Sequence, residues 1–233
     1  MPSDPSLGAK ALAEGLGAGL LVAVVIGSGI AAERLSPDDT GLQLLENSTA
    51  TVLALAALIL AFGAVSGAHL NPAVTLVERL RGSIDDRTAA AFAAAQVAGA
   101  CLGAVVANLM FELPAIDVST HDRIRSGTAL AEVVATFGLV LIIRGVVHAG
   151  RANAVPFAVA GYIGAAYWFT SSTSFANPAV TVARTLSDTF AGIRPASAPG
   201  FVAAQLVGAL LALAVGRVLF PEPDPSLEEV LDA

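Results

Sequence analysis

The chain reads S-G-A-H-L-N-P-A-V-T from Ser66 to Thr75, where a long apolar segment gives way to a short one. Asn is a favoured N-cap and Pro suits the first helical position, so a helix is predicted to begin at Asn71. The letters N-P-A-V-T recur from Asn177 to Thr181. One Asn-Pro-Ala marks an ordinary helix start, whereas two copies with the same continuation indicate a duplicated structural unit.

Around these motifs the chain divides into long and short apolar segments. A membrane-spanning helix needs about 20 mostly apolar residues. The segments after the motifs, Asn71–Leu80 and Asn177–Leu186, reach only about half of a ~30 Å hydrocarbon core. Non-helical backbone at that depth is tolerated along a water-filled cavity, so a lined cavity is predicted. Six other segments approach a full span: Leu12–Ala32, Thr49–Val65, Thr88–Phe111, Thr128–Val147, Val155–Thr170 and Gly200–Phe220.

The two halves of the chain carry the same features in the same order. The letters L-A-E open the first long segment of each half, ending at Glu14 and at Glu132. Three spans per half place the halves in opposite orientations, and inverted repeats with broken helices hold their site near the membrane midplane. We therefore predict one transmembrane domain over residues 1–233. Its repeats cover about 8–111 and 126–220, and a solvated polar tail follows at 221–233.

Composition excludes several functional classes. The 233 residues are 55% hydrophobic and 13% charged, whereas soluble domains carry about 25% charged residues. The single Cys101 rules out an intramolecular disulfide and a cysteine-based zinc site, and no metal or cofactor is expected. The net charge of −7 argues against nucleic-acid binding, which needs basic patches.

The distribution of basic residues favours cytoplasmic termini, because cytoplasmic loops are enriched in Lys and Arg. Leu12–Ala32 is long enough to be a retained span rather than a cleaved signal peptide. A multi-pass protein of the inner or plasma membrane is therefore expected. With both termini inside, the cytoplasmic side carries Lys10, Arg79, Arg81, Arg87, Arg144, Arg151 and Arg217, and the outer side carries Arg34, Arg123, Arg125, Arg184 and Arg194.

The two motif loops resemble the signature loops of the aquaporin and glycerol-channel family, also called major intrinsic proteins. The resemblance runs from about Leu12 to Phe220. It implies an all-α membrane protein with six transmembrane helices and two re-entrant half-helices, arranged as an inverted repeat in a right-handed bundle. It also implies a homotetramer in the lipid bilayer that conducts water and small uncharged solutes such as glycerol passively, without enzymatic chemistry.

Inverted symmetry is expected to bring the two helix starts, Asn71-Pro72-Ala73 and Asn177-Pro178-Ala179, together at the midplane. The first turn of a helix carries unpaired N–H groups and a partial positive charge, which repels cations. Amide donors on Asn71 and Asn177 would turn the hydrogens of a passing water outward and interrupt proton conduction. Half-helix dipoles are a known selectivity device of aquaporin-type pores.

The resemblance also implies roles for residues around the two motifs. Glu14 and Glu132 are expected to brace the pore loops by accepting backbone N–H bonds. Backbone carbonyl groups are expected to line the pore at Gly67, Ala68, His69, Thr173, Ser174 and Phe175.

The selectivity filter departs from the family pattern. Most members carry Arg directly after the second Asn-Pro-Ala, where this chain has Val180. Counting from the motifs gives Thr51, Ala165 and Ser174 as the other filter positions. Four small residues predict a wide, uncharged filter that admits glycerol-sized solutes, with neutral metalloid hydroxides such as arsenous acid as an alternative. Arg184 lies one turn beyond Val180, and it is either a charge in the vestibule or a solvated helix end.

Two further classes share part of this pattern. Secondary transporters also have inverted repeats and broken helices, but coupling requires ionisable residues at the substrate site. Only Glu14 and Glu132 qualify, and the resemblance assigns both to loop bracing. A non-conducting membrane scaffold is the third alternative, which the two intact Asn-Pro-Ala motifs argue against.

Overall fold

A computed structural model of the protein describes residues 4–221, so all but the first residue of the tail predicted at 221–233 lies outside the described residues. The described residues contain long helices separated by two short ones that follow the Asn-Pro-Ala motifs, which confirms the predicted fold class. The helices are α1 (Leu7–Leu35), α2 (Thr40–Ser66), α3 (Pro72–Arg81), α4 (Asp86–Met110), α5 (Ser126–His148), α6 (Val155–Phe169), α7 (Pro178–Ala183) and α8 (Ala198–Leu219).

Two helices begin several residues before the apolar segments that predict them, because polar side chains cap their N-termini. The Ser6 hydroxyl accepts a hydrogen bond from the Ala9 N–H at 3.2 Å and starts α1 ahead of Leu12. The Asp39 carboxylate accepts one from the Leu42 N–H at 2.9 Å and starts α2 at Thr40. Side-chain acceptors at an N-cap satisfy N–H groups that have no partner inside the helix.

Among residues 4–221, five helices are long and apolar enough to cross a membrane, namely α1, α2, α4, α5 and α8. The remaining predicted span is α6, which has 15 residues and follows a 3-10 turn at Ala152–Ala154. The two helices after the motifs are short, with ten residues in α3 and six in α7. At 1.5 Å per residue neither crosses a bilayer.

The helices of the two repeats pair in the same way. Helix α1 packs against α4 and α2, and α5 packs against α8 and α6, while α2 and α6 join the repeats. The α1–α4 pair approaches closely because glycines face each other. A Cβ atom on Gly19 would lie 2.8 Å from the Gly99 carbonyl oxygen, and one on Gly99 would overlap the backbone of Gly15. Small residues permit this backbone contact between membrane helices.

Candidate functional site: a channel between two half-helices

The two short helices begin at the same place in the molecule. The Asn71 Oδ1 atom accepts from the Ala73 N–H at 2.9 Å, and Asn177 Oδ1 accepts from the Ala179 N–H at 2.9 Å. Each asparagine is therefore the N-cap of its helix, with proline at the first helical position. The local sequence is sufficient to explain both helix starts.

The same asparagines join the two repeats. The Asn71 Nδ2 atom donates to the Ala176 carbonyl oxygen, and the Asn177 Nδ2 atom donates to the Leu70 carbonyl oxygen, each at 2.8 Å. We call these two bonds the asparagine clasp. An amide nitrogen carries two hydrogens, so each Nδ2 keeps one N–H for the cavity that both asparagines line.

The loops that lead to the asparagines have an unusual backbone. Positive φ angles occur at Ala68, Leu70, Thr173, Ser174 and Ala176, with values between 47° and 62°. Non-glycine residues seldom adopt this left-handed region, and it persists where surrounding contacts enforce it. The contacts that enforce it here come from two buried carboxylates.

Glu14 holds the first loop. Its side chain is fully buried, and it accepts hydrogen bonds from the His69 N–H at 2.9 Å and the Leu70 N–H at 2.6 Å. The Ser66 hydroxyl donates to it at 2.6 Å, and the Gln96 amide donates at 2.6 Å. A carboxylate with four donors is well satisfied without a counter-ion.

Glu132 holds the second loop in the equivalent way. It is also fully buried, and it accepts from the Phe175 N–H at 2.9 Å and the Ala176 N–H at 2.8 Å. The Gln205 amide donates to it at 2.6 Å. The geometry at Glu14 and Glu132 is that of a brace in each repeat.

Each brace includes residues that the sequence did not assign to the site. Gln96 also donates to the Thr75 hydroxyl at 3.0 Å, and Gln205 donates to the Thr181 hydroxyl at 2.8 Å. Both glutamines therefore tie a long helix to the carboxylate and to the half-helix at once. The signal was present in the repeated letters A-Q-V-A-G-A and A-Q-L-V-G-A around Gln96 and Gln205.

A cavity of about 970 Å³ passes between the two half-helices. It extends from Arg184 at one end, here called the Arg184 end, to Arg144 at the other, the Arg144 end. Its wall includes Asn71, Asn177 and most of the residues predicted to supply carbonyls, namely Gly67, Ala68, His69, Ser174 and Phe175. The lining also includes aliphatic side chains, namely Leu21, Val25, Leu55, Leu139, Val159 and Ile163.

Several predicted residues do not line this cavity. Thr173 is absent from the wall, and so are Pro72, Ala73, Pro178 and Ala179. The two prolines and two alanines form the first turns of α3 and α7. They set the position of the asparagines and lie behind the cavity surface.

The Arg184 end differs from the predicted filter at Ala165. Thr51, Ser174 and Val180 line the cavity there, but Ala165 does not, and its side chain is exposed on the outside of α6. The cavity face of α6 carries Ile163 and Tyr167. Since each helical residue turns by about 100°, a position two residues from both points away from the cavity. Tyr167 therefore occupies the place expected for Ala165, and its hydroxyl donates to Thr51 Oγ1 at 3.2 Å.

Arg184 is not a solvated helix end. It is 3% exposed, and it lines the cavity. Its guanidinium carbon lies 3.4 Å from the centre of the Phe175 ring, and its Nε donates to the Ala191 carbonyl oxygen. The alternative of a charge in the vestibule fits this position, because the cavity lining includes a cationic side chain that Val180 does not provide.

Known proteins resemble this chain over most of its length. The family model described as major intrinsic protein matches residues 3–170. The aquaglyceroporin AqpS of Rhizobium meliloti (strain 1021) is 50% identical over 220 residues, which cover 94% of each protein. The glycerol uptake facilitator protein of Escherichia coli (strain K12) is 35% identical over 138 residues, 59% of this chain and 48% of that protein. The X-ray structure of the aquaglyceroporin from Plasmodium falciparum aligns with a TM-score of 0.72 at 21% identity, covering 91% of this chain and 96% of that one.

Proposed function

This chain belongs to the major intrinsic protein family, and we propose that it forms a passive channel for water and small uncharged solutes such as glycerol. The observation that carries the proposal is the cavity between the half-helices, which includes both asparagines and residues near both ends of the bundle. Two relatives, an aquaglyceroporin and a glycerol uptake facilitator, support the same solutes.

The wall of the cavity suits a file of hydroxyl groups. Positions 67–69 and 174–175 line the cavity, and so do several aliphatic side chains. Carbonyl oxygens replace the hydrogen bonds that a water or polyol loses on entry, while the aliphatic side chains accept its carbon chain. The half-helix starts at Asn71 and Asn177 face the middle of the file and disfavour cations.

The positions of Glu14 and Glu132 argue against a coupled transporter, and Glu78, a carboxylate that does line the cavity, is paired with Arg81 at 3.0 Å. Glu14 and Glu132 do not line the cavity, and their oxygens are already occupied by backbone and glutamine donors. A carboxylate saturated in this way has no direct route to a solute or a proton in the cavity. A channel is therefore favoured over proton-linked transport, in which substrate-site carboxylates change protonation.

Neutral arsenous acid is a second candidate solute. It presents three hydroxyl groups, as glycerol does, and is uncharged at neutral pH. The observation that favours it is Val180 on the cavity wall, because an aliphatic side chain there leaves room that an arginine would fill.

The described helices make this a multi-pass membrane protein. We propose that it is a homotetramer of the cell membrane with both termini in the cytoplasm. Apolar side chains on the outside of the bundle, such as Leu53 and Leu102 at 68% and 64% exposed, would contact lipid or neighbouring copies. Native mass spectrometry from detergent and labelling of single cysteines placed near each terminus test these two statements.

Stopped-flow light scattering on proteoliposomes shocked with hyperosmotic glycerol tests the main proposal. Fast shrinkage reports water flow, and fast reswelling reports glycerol entry. Both are expected with a low activation energy and without dependence on a proton gradient. Repeating the reswelling assay with arsenous acid tests the second candidate.

A matched pair of variants ties the flux to the cavity. Val180→Trp adds an indole inside the cavity and is expected to abolish both phases. Ala165→Trp adds the same ring on the outside of α6 and is expected to leave them intact. Rates no higher than those of empty liposomes for the wild-type protein, or equal rates for the two variants, contradict the proposal.

A further inference from the structure

The geometry points to Arg184 as the residue that sets the selectivity of this channel, one helical turn beyond the position where the family carries its arginine. The inference rests on the proposed channel function. It assigns to Arg184 the rejection of cations and a pair of hydrogen-bond donors for the hydroxyl oxygens of the solute. Four observations support it.

The first observation concerns the position of the side chain. The N–H of Val180 is engaged by Asn177 Oδ1 at 3.3 Å, and its side chain offers neither charge nor donor. Residues four apart lie on the same face of a helix, about 6 Å further along its axis. Helix α7 continues into a 3-10 turn at Arg184–Leu186, so Arg184 faces the same cavity as Val180.

The second observation is that the guanidinium is fixed in place. Its plane lies against the Phe175 ring, 3.4 Å from the ring centre, and its Nε donates to the Ala191 carbonyl oxygen. Phe175 is itself packed edge-on against Phe201, with ring centres 5.1 Å apart. An arginine held by stacking and by one directed hydrogen bond loses little further freedom when it binds a solute.

The third observation is that a second arginine supports the carbonyl which holds the first. Arg123 donates to the carbonyl oxygens of Phe190 at 2.7 Å and Gly192 at 2.5 Å, on either side of Ala191. The same loop is anchored by Asp188, which accepts from the Thr120 N–H at 2.8 Å. This backbone hydrogen bond holds the pKa of the Asp188 carboxyl below its usual range. The loop therefore presents the Ala191 carbonyl to Arg184 in a defined position.

The fourth observation is that two donors remain unused. Among residues 4–221, neither terminal nitrogen of Arg184 has a protein hydrogen-bond partner, although the residue is 3% exposed and lines the cavity. Buried donors without partners are costly, and a guanidinium does not lose its proton in proteins. Water or a solute hydroxyl in the cavity supplies the missing acceptors. The hydroxyls of Thr51 and Tyr167 line the same region and complete a polar ring around the solute.

This arrangement predicts a distinct selectivity. A fixed positive charge beside the file of solutes opposes cations, as a charge at a constriction does in other pores. Because the charge is displaced from Val180, the cavity wall at Val180 itself stays uncharged. Removal of the charge should raise cation and proton leak about tenfold, which corresponds to one screened charge interaction a few ångströms away.

The test removes the positive charge at position 184 by mutation and then restores it by chemical modification of the folded protein. Cys101 is first replaced by Ala, and Arg184→Cys is made in that background. Proteoliposomes are measured for water flow, glycerol entry and proton leak before and after treatment with a methanethiosulfonate reagent that adds an ethylammonium group. A neutral methyl reagent of the same class controls for bulk.

The expected result is a protein whose water flow is retained while its proton leak is raised. The leak should fall again after the positive reagent and not after the neutral one. Arg194→Cys is the matched control, because Arg194 is exposed on the same loop and does not line the cavity. Its modification is expected to change none of the three rates.

Two results overturn the inference. One is an unchanged proton leak and an unchanged ratio of glycerol to water flow in Arg184→Cys. The other is a parallel loss of all three rates that neither reagent reverses, which means that Arg184 only supports the fold. If wild-type protein fails to conduct water or glycerol, the proposed function fails instead, so the two failures are distinguishable.

Discussion

Asn71 donates a hydrogen bond to the carbonyl oxygen of Ala176 at 2.8 Å, across the junction between the repeats. Its own Oδ1 caps α3 through the Ala73 N–H. One side chain therefore starts a half-helix and joins it to the opposite loop. The equivalent contacts of Asn177 make both functions symmetric.

The two functions of Asn71 can be separated. Asn71→Asp keeps the capping acceptor but replaces the donor to Ala176 with a second oxygen, while Asn71→Ala removes both. Loss of a cap and of a buried hydrogen bond costs roughly 2 kcal/mol in free energy of unfolding. We expect Asn71→Ala to unfold at a lower temperature in detergent than wild type. Asn71→Asp should conduct cations, because a carboxylate faces the midplane. Wild-type cation rejection in the Asp variant would contradict this role.

Glu14 provides the second prediction. Glu14→Gln replaces one carboxylate oxygen with an amide NH₂ group, which then faces either the His69 N–H, or the Leu70 N–H and the Gln96 amide. Buried donors then face one another, and a loss of about 2–4 kcal/mol in free energy of unfolding is expected. Thermal unfolding and water flow should both fall, and Glu132→Gln should reproduce the effect.

Asp38→Asn removes an exposed carboxylate between α1 and α2, and it is the control for Glu14→Gln. It should change neither the unfolding temperature nor water flow. Equal effects of Asp38→Asn and Glu14→Gln would show that the brace has no special importance.

The α1–α4 contact provides the third prediction. Gly99→Ala places a Cβ against the backbone of Gly15, so the two helices must separate. Overpacking of this kind costs about 1–3 kcal/mol. Gly161→Ala on α6 is the matched control, because no atom lies within 4 Å of the added Cβ. Thermal unfolding should distinguish the two, and an unchanged midpoint for Gly99→Ala would disprove the close contact.

Tyr167 provides the fourth prediction. Its ring lines the Arg184 end and its hydroxyl donates to Thr51. Tyr167→Ala should speed the entry of four- and five-carbon polyols relative to water, because it removes a large side chain from the cavity wall. Ala165→Leu, on the outside of α6, should leave the ratio unchanged. If Ala165→Leu changed the ratio of polyol entry to water flow in reswelling assays and Tyr167→Ala did not, Ala165 would be the filter residue.

The sequence predicted those parts of the site that depend on local signals. Asn71 and Asn177 cap their helices through atoms two residues away, so a motif is enough to place them. The carboxylates Glu14 and Glu132 were placed by repeat symmetry and family resemblance. Their backbone partners are far along the chain, and composition alone does not identify them.

Other features depend on contacts that the sequence does not display. Helix α2 begins at Thr40 rather than Thr49, and its first turns include Gln43 and Asn47. These polar residues are buried because Gln43 donates to the Ser36 carbonyl at 2.8 Å and Asn47 donates to the Val25 carbonyl at 2.8 Å. Hydropathy alone predicts that polar residues such as Gln43 and Asn47 lie in a loop. The satisfied hydrogen bonds make them part of the span.

The Arg184 end was the least predictable region. Counting from a motif in one loop does not give the rotation of α6, which is a separate helix, and so Ala165 was chosen where Tyr167 faces the cavity. The burial of Arg184 depends on the chain returning after α7, where the Ile193 N–H donates to the Arg184 carbonyl oxygen at 3.2 Å. No local sequence pattern around Arg184 predicts that the chain folds back over it.

The division of labour between brace and clasp has a consequence for biosynthesis. All the partners of Glu14 precede the start of α5, and all those of Glu132 follow it. A nascent chain can therefore order its first loop before the ribosome has translated the second repeat. The clasp of Asn71 and Asn177 closes only when both halves have been inserted. The proposed barrier to ions and the cavity itself are thus completed in the same event, so a chain that lacks its second repeat has neither.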